Sequence, residues 1–257
     1  MLIDSHTHLN DEKLLVDLDN IILRARDVGI IVVSGYDKLS SLKAISIANK
    51  YSNVYASIGI HPSEVNKFEK DNLEWLIEGL KEPKVVAIGE IGFDYYWDDS
   101  FKDKQKEYFE KQIEIALLYN YPVVIHSRNS AEDTYQAIKD KGLRGIMHCY
   151  AYDREYAIRF IEQGLLLGIG GVLTFKNANL KEIVSEFDLS HLITETDAPY
   201  LSPVPFRGKT NEPKNIRYIV DKIAEIKGIE IEEVERIIED NARKIFSIGK
   251  DIKWKRF

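Results

Sequence analysis

The segment Asp4-Ser5-His6-Thr7-His8 sets two imidazoles two residues apart. Successive side chains of an extended strand point to opposite faces, so His6 and His8 face the same way and one cation could take both. Alone, such a pair is common. Four further residues give it weight: Glu90 after Gly89, His126 after Ile125, His148 after Met147, and Asp197 at the end of Glu195-Thr196-Asp197. Each lies just past a short β-branched run. Imidazole nitrogen and carboxylate oxygen are the donors that divalent metals take. Donors at five strand ends, all on one rim, point to a hydrolytic metal centre with His6, His8, Glu90, His126, His148 and Asp197 as ligands. Asp197 is also the candidate general base, with a role as ligand alone the competing reading.

Other polar residues test the same logic. His61, in Gly59-Ile60-His61-Pro62, follows a third run on the same rim. It suits a ligand or a hydrogen-bond donor to substrate; a histidine that only shapes the proline turn is the plain alternative. Glu195 shares the face of Asp197 and is placed to orient a ligand imidazole, or to pair elsewhere as a buried carboxylate. Cys149 follows His148, so alternation turns it away from the barrel axis as a packing residue. His191 falls at the opposite strand end and carries no chemistry. Arg207, ten residues past Asp197 in a proline-rich loop, and Arg128, just past His126, have forked guanidinium groups that match phosphate. Gly168-Ile169-Gly170-Gly171 brings backbone N–H groups toward an anion, or simply bends the chain. Tyr95, Tyr96 and Trp97 follow Glu90 in a rim loop, where they can stack on an unpaired base or pack on neighbours. Asn211-Glu212-Pro213 reads as a helix start with Asn211 as its cap.

These residues need a scaffold that gathers strand ends. Eight short β-rich runs are legible: Leu2–Ser5, Ile30–Ser34, Val54–Ile58, Val85–Ile88, Pro122–Ile125, Gly145–Met147, Leu165–Ile169 and Leu192–Thr194. Between them lie segments of helical period, such as Gln105–Tyr119 and Tyr156–Glu162, and two more follow, Asn215–Lys227 and Ile231–Phe246. Unbroken alternation over 257 residues predicts a single (β/α)8 TIM barrel domain spanning 1–257, whose active site lies at the C-terminal ends of the strands. An open doubly wound sheet would show a G-x-G-x-x-G turn after the first strand, which this sequence lacks. Hydrophobic residues make up 44%, enough for a sizeable core. The net charge of −7 gives no global pull toward phosphate backbones, so any such attraction is local. One cysteine, no basic leader and no long apolar run lead to the expectation of a cytoplasmic chain that does not enter a membrane.

The motifs carry a resemblance. IDSHTHLN, SIGIHP (57–62), VVAIGEIGFDYY (85–96), PVVIHSRNS (122–130), GIMHCY (145–150), LGIGG (167–171), ETDAPYLSP (195–203), FRGKTNEP (206–213) and NARKIF (241–246) together resemble the TatD-type metal-dependent DNases of the amidohydrolase-like barrel superfamily. The match spans nearly the whole chain in order, and no family ligand is missing. Tyr150 stands where relatives often carry Phe. The resemblance implies a DNA exonuclease using divalent metal, commonly Mg²⁺. It implies one cation on His6, His8, Glu90 and Asp197 and a second on Glu90, His126 and His148. Glu90 would bridge them and join Asp197 as a catalytic residue.

Two dications against two carboxylates leave the site positive by about two, an attraction for an anionic substrate within an acidic protein. Four imidazoles suit Zn²⁺, Mn²⁺ or Fe²⁺ better than Mg²⁺. The expected substrate is DNA, as a single-stranded end, with no obligate protein partner. Hydrolysis of another ester or amide, such as an aminoacyl ester on RNA, fits the same ligands, and a non-catalytic metal scaffold is a more distant alternative.

Overall fold

A computed structural model describes residues 1–67, 73–96 and 100–249. Eight strands run through it: β1 (Leu2–Thr7), β2 (Val28–Ser34), β3 (Val54–Ile58), β4 (Val85–Asp94), β5 (Val123–Arg128), β6 (Gly145–Met147), β7 (Leu165–Ile169) and β8 (Leu192–Thr194). They form one sheet in sequence order, each parallel to the next. Helices alternate with the strands, giving the (β/α)8 barrel that the alternation predicts. None of the described helices is long and apolar enough to cross a membrane.

The strands read as continuous apolar runs because both faces are covered. In β2, Ile30, Ile31, Val32 and Val33 are all buried, facing alternately the barrel interior and the helices. Helix starts are set locally. Before the helix Lys38–Lys50, Asp37 accepts the Ser40 N–H at 2.7 Å while the Ser40 hydroxyl accepts the Asp37 N–H at 2.8 Å, a reciprocal cap.

β8 and β1 meet at a seam. Thr194 Oγ1 donates to Ile3 O at 2.6 Å, and the Thr196 N–H to Asp4 Oδ1 at 2.8 Å. Above them Asp197 N bonds His6 O at 3.0 Å and His8 N bonds Ala198 O at 2.7 Å. The closing helices Ile216–Lys227 and Ile231–Ile245 pack across both strands.

Three strands outrun their expected ends. β1 continues to Thr7 and β5 to Arg128, so His6 and His126 lie inside strands. β4 continues past Glu90 to Asp94. Its ladder to β5 slips between Ile88 and Ile91, and Glu90 N bonds Gly35 O at 2.9 Å instead. Such a slip re-aims a side chain without ending the strand.

Candidate metal centre

Five of the six histidines, all but His191, converge with Glu90 and Asp197 at the C-terminal mouth of the barrel. Glu90 is buried at their middle. Its Oε2 lies 3.3 Å from His6 Nε2 and 3.7 Å from His8 Nε2. Its Oε1 lies 2.8 Å from His126 Nδ1, 3.5 Å from His61 Nε2 and 3.8 Å from His148 Nε2. Asp197 Oδ1 stands 3.5, 3.8 and 3.9 Å from the Nε2 atoms of His8, His6 and His148. Thus the two oxygens of Glu90 face different sets of rings.

Each of the four expected ligand imidazoles has a neighbour at its far nitrogen, and three of them are hydrogen-bonded there. Ser34 holds two: its carbonyl accepts from His8 Nδ1 at 3.1 Å, and its hydroxyl bonds His6 Nδ1 at 3.0 Å. A carbonyl only accepts, so His8 carries a proton on Nδ1, which leaves Nε2 as the nitrogen a cation would take. His148 Nδ1 lies 3.0 Å from Glu195 Oε1, at an angle outside hydrogen-bond range, and that carboxylate draws the ring proton to the same side. His126 is reversed: Nε2 bonds Asp94 Oδ2 at 3.1 Å, leaving Nδ1 toward Glu90. His6 Nε2 and His8 Nε2 approach to 3.2 Å. Donor atoms at that distance, with their rings pinned from behind, fit adjacent positions on one cation.

Charge follows the same lines. Burial raises the Glu90 carboxyl, but the surrounding imidazoles and the bond from His126 hold it well below the usual range. Asp197 is likewise lowered against its burial by His8 and His148. Burial opposes charge on His148, yet Glu195 and Glu90 outweigh it and push the ring up to about 10. A dication at such a site replaces ring protons, so its binding releases them. His61 differs. Burial and the neighbouring His126 push it down to about 3, so it is neutral. It accepts the Ser63 N–H at Nδ1, 3.1 Å, which leaves its proton on Nε2.

Groups that could hold an ion among the described residues are His6, His8 and Glu90; His6, His148 and Asp197; His61, Glu90 and His126; and His148, Cys149 and Glu195. The last corrects the expectation for Cys149. β6 stops at Met147 and Cys149 takes φ 47°, so strand alternation no longer governs it and its sulfur lies beside Glu195. Glu195 accepts the Cys149 N–H at 2.7 Å, and Gly168 makes room for it: a Cβ there would stand 2.5 Å from Glu195 Oε2.

The remaining rim residues have neighbours of their own. Arg207 is exposed, its guanidinium 4.1 Å from the ring centre of Phe175 in the loop after β7. Arg128, the last residue of β5, lies 3.7 Å over the Tyr96 ring. Tyr95 bonds Asp133 and packs on Phe93, so it is a wall of the loop rather than an open platform. Trp97 lies outside the described residues. Asn211 does not cap a helix. Glu212 precedes the turn Pro213–Asn215, while the buried Asn211 amide donates to Thr196 O at 2.9 Å and Tyr200 O at 2.8 Å, pinning the loop that carries Asp197.

Two residues escaped the sequence. Ser34 looks like any strand-end serine. Asp94 was detectable: continuing the alternation from Glu90 through Gly92 reaches it on the same face. With Asp94 and Glu195 touching ligand rings, the carboxylates at the centre number four among the described residues, so two dications would bring it to about neutral rather than to an excess of two.

Comparison with known proteins agrees with this centre. The family model described as TatD related DNase matches residues 3–247. The uncharacterized metal-dependent hydrolase YabD of Bacillus subtilis is 42% identical over 255 residues, covering 97% of this chain and 100% of its own. One from Methanocaldococcus jannaschii is 37% identical, covering 95% and 96%. The crystal structure of YJJV, a TatD homologue from Escherichia coli, superposes with a TM-score of 0.92 at 27% identity, covering 96% of this chain and 98% of that one. The chain is therefore a metal-dependent hydrolase that belongs to the TatD related DNase family.

Proposed function

We propose that the chain hydrolyses phosphodiester bonds at single-stranded DNA ends with two divalent cations. The observation that carries this reading is the placement of Glu90, whose two oxygens face two different sets of imidazoles. His6, His8, Glu90 and Asp197 would hold one cation, and Glu90, His126 and His148 the other. The nitrogen-rich donor set favours Mn²⁺ or Zn²⁺ over Mg²⁺. Bound there, such cations supply a water of lowered pKa and Lewis acidity at a phosphoryl oxygen.

The chain's own groups do the rest. Asp197, held ionised at the mouth, accepts the proton of the attacking water and returns it to the leaving oxygen. His61, neutral with its proton on Nε2, donates to a phosphoryl oxygen. Because four carboxylates offset the cations, attraction of the polyanion rests on the guanidinium groups of Arg128 and Arg207. The family's DNase name supports the substrate class.

The test is digestion of end-labelled single- and double-stranded oligonucleotides with Mg²⁺, Mn²⁺ or Zn²⁺, beside an aminoacyl-RNA ester. The single strand should shorten from one end, chelator should stop it, and Asp197→Asn should lower kcat by about 10²- to 10⁴-fold. Ester cleavage with intact oligonucleotides under every ion overturns the reading.

A further inference from the structure

We propose that Tyr36 and Tyr200 form a subsite that stacks an unpaired nucleobase beside His8; the choice of ligand rests on the oligonucleotide reading above. Both rings stand next to the centre, Tyr36 at 6.2 Å and Tyr200 at 6.1 Å from the His8 ring, inclined to it by 60° and 67°. A phosphodiester at the cluster carries its nucleoside within reach of these rings.

Tyr200 is fixed at backbone and hydroxyl before any ligand arrives, and Tyr36 is fixed at its backbone. Tyr200 N bonds Asp197 O at 2.8 Å, its carbonyl accepts from Asn211 at 2.8 Å, and its hydroxyl donates to Asp11 Oδ2 at 3.1 Å. Lys13 Nζ lies 5.5 Å from its ring centre. Held at so many points, the residue is still 46% exposed. Tyr36 donates its N–H to Ser40 Oγ at 2.8 Å, and its carbonyl accepts from His61 N at 2.8 Å. It is half-buried. Tyr150 shows what a structural tyrosine looks like here: it is 3% exposed, with its hydroxyl turned to Asp153 O.

Rigid, partly open aromatic faces bind with little loss of side-chain freedom. Every base has a π-face, so the subsite tolerates any sequence, but a base must leave its pair to enter it. That gives a reason for preferring single-stranded ends that the metal ligands do not supply.

The probe is a trinucleotide carrying 2-aminopurine at either end, titrated fluorometrically into the Mn²⁺-loaded full chain. Wild type should bind it with quenching. Tyr36→Leu and Tyr200→Leu should each weaken binding by about 5- to 100-fold, while Tyr200→Phe, which keeps the ring, should stay within about threefold. With an abasic sugar in place of the probe base, measured by competition, the Leu variants should match wild type. Binding without quenching, affinities of the Leu variants within twofold of wild type, or equal losses on the abasic strand overturn the subsite. Cleavage is scored in the same samples: quenching without cleavage keeps the subsite and sinks the phosphodiesterase reading, and cleavage without quenching does the reverse.

Discussion

Replacing Asp94 by Asn changes almost no volume and isolates one function of the carboxylate. Asp94 Oδ1 accepts the Tyr96 N–H at 2.9 Å, which an Asn carbonyl reproduces. Asp94 Oδ2 faces His126 Nε2 at 3.1 Å, and there Asn presents an N–H₂ donor. A donor opposite Nε2 makes that nitrogen the acceptor and sends the ring proton to Nδ1, 2.8 Å from Glu90 Oε1. A cation needs a lone pair at that nitrogen, and Asp94→Asn would hold a proton there instead. Loss of an outer-shell partner lowers metal affinity by about 10- to 100-fold, and reversal of the tautomer puts Asp94→Asn at the upper end. Stability of the metal-free chain should fall by only about 1 kcal/mol, one altered hydrogen bond. Calorimetric titration with Mn²⁺ should show one weakened site and one near its wild-type affinity, and ¹⁵N spectra of the histidine rings should report the exchanged tautomer. Two unaltered sites would refute the assignment of Asp94 as the residue that sets His126.

Three other outcomes are expected. Glu90→Ala should leave the chain with less than about one ion after purification in Mn²⁺, since both ion positions share this residue; elemental analysis returning two ions contradicts that. Burial, outweighing the bonds from Thr196, pushes the Asp4 carboxyl up to about 8 from 3.8, so the folded chain holds a proton that the unfolded chain releases, and stability falls as pH rises from about 4 to 8. Asp4→Asn should therefore gain on wild type between pH 5 and 8 by on the order of 1–3 kcal/mol in urea unfolding with chelator present, and an equal gap at both pH values rejects it. Gly168→Ala sets a methyl 2.5 Å from Glu195 Oε2 and 3.0 Å from Met147 O. It should cost about 1–3 kcal/mol of stability and, by displacing Glu195 from His148, weaken metal binding; unchanged affinity would show that Glu195 does not orient the ring.

The barrel was legible because each strand is a short β-branched run and the chain never leaves the alternation. The centre was legible because its donors sit at strand ends, where alternation fixes their side. That logic failed wherever a strand end was misjudged. Stopping β4 at Ile88 hid Asp94. Extending alternation beyond Met147 had no footing at Cys149, since a left-handed residue has no strand neighbour to alternate with. Loop residues were the least readable. Asn211 has the type of a helix cap and the position of a loop tether, and only tertiary contacts separate the two. Arg207 has the right charge in the right loop, but nothing in the sequence announces Phe175 beneath it.

The seam between the last strand and the first has a consequence for the order of events during synthesis. His6 and His8 leave the ribosome first, and Asp197 about 190 residues later, yet the backbone bonds from Asp197 to His6 and from His8 to Ala198 close the same ring that gathers the donors. A nascent chain halted between His148 and β8 owns all five imidazoles of the centre and still lacks Asp197. Capture of the full complement of ions thus waits for the last strand of the barrel and the turn that follows it.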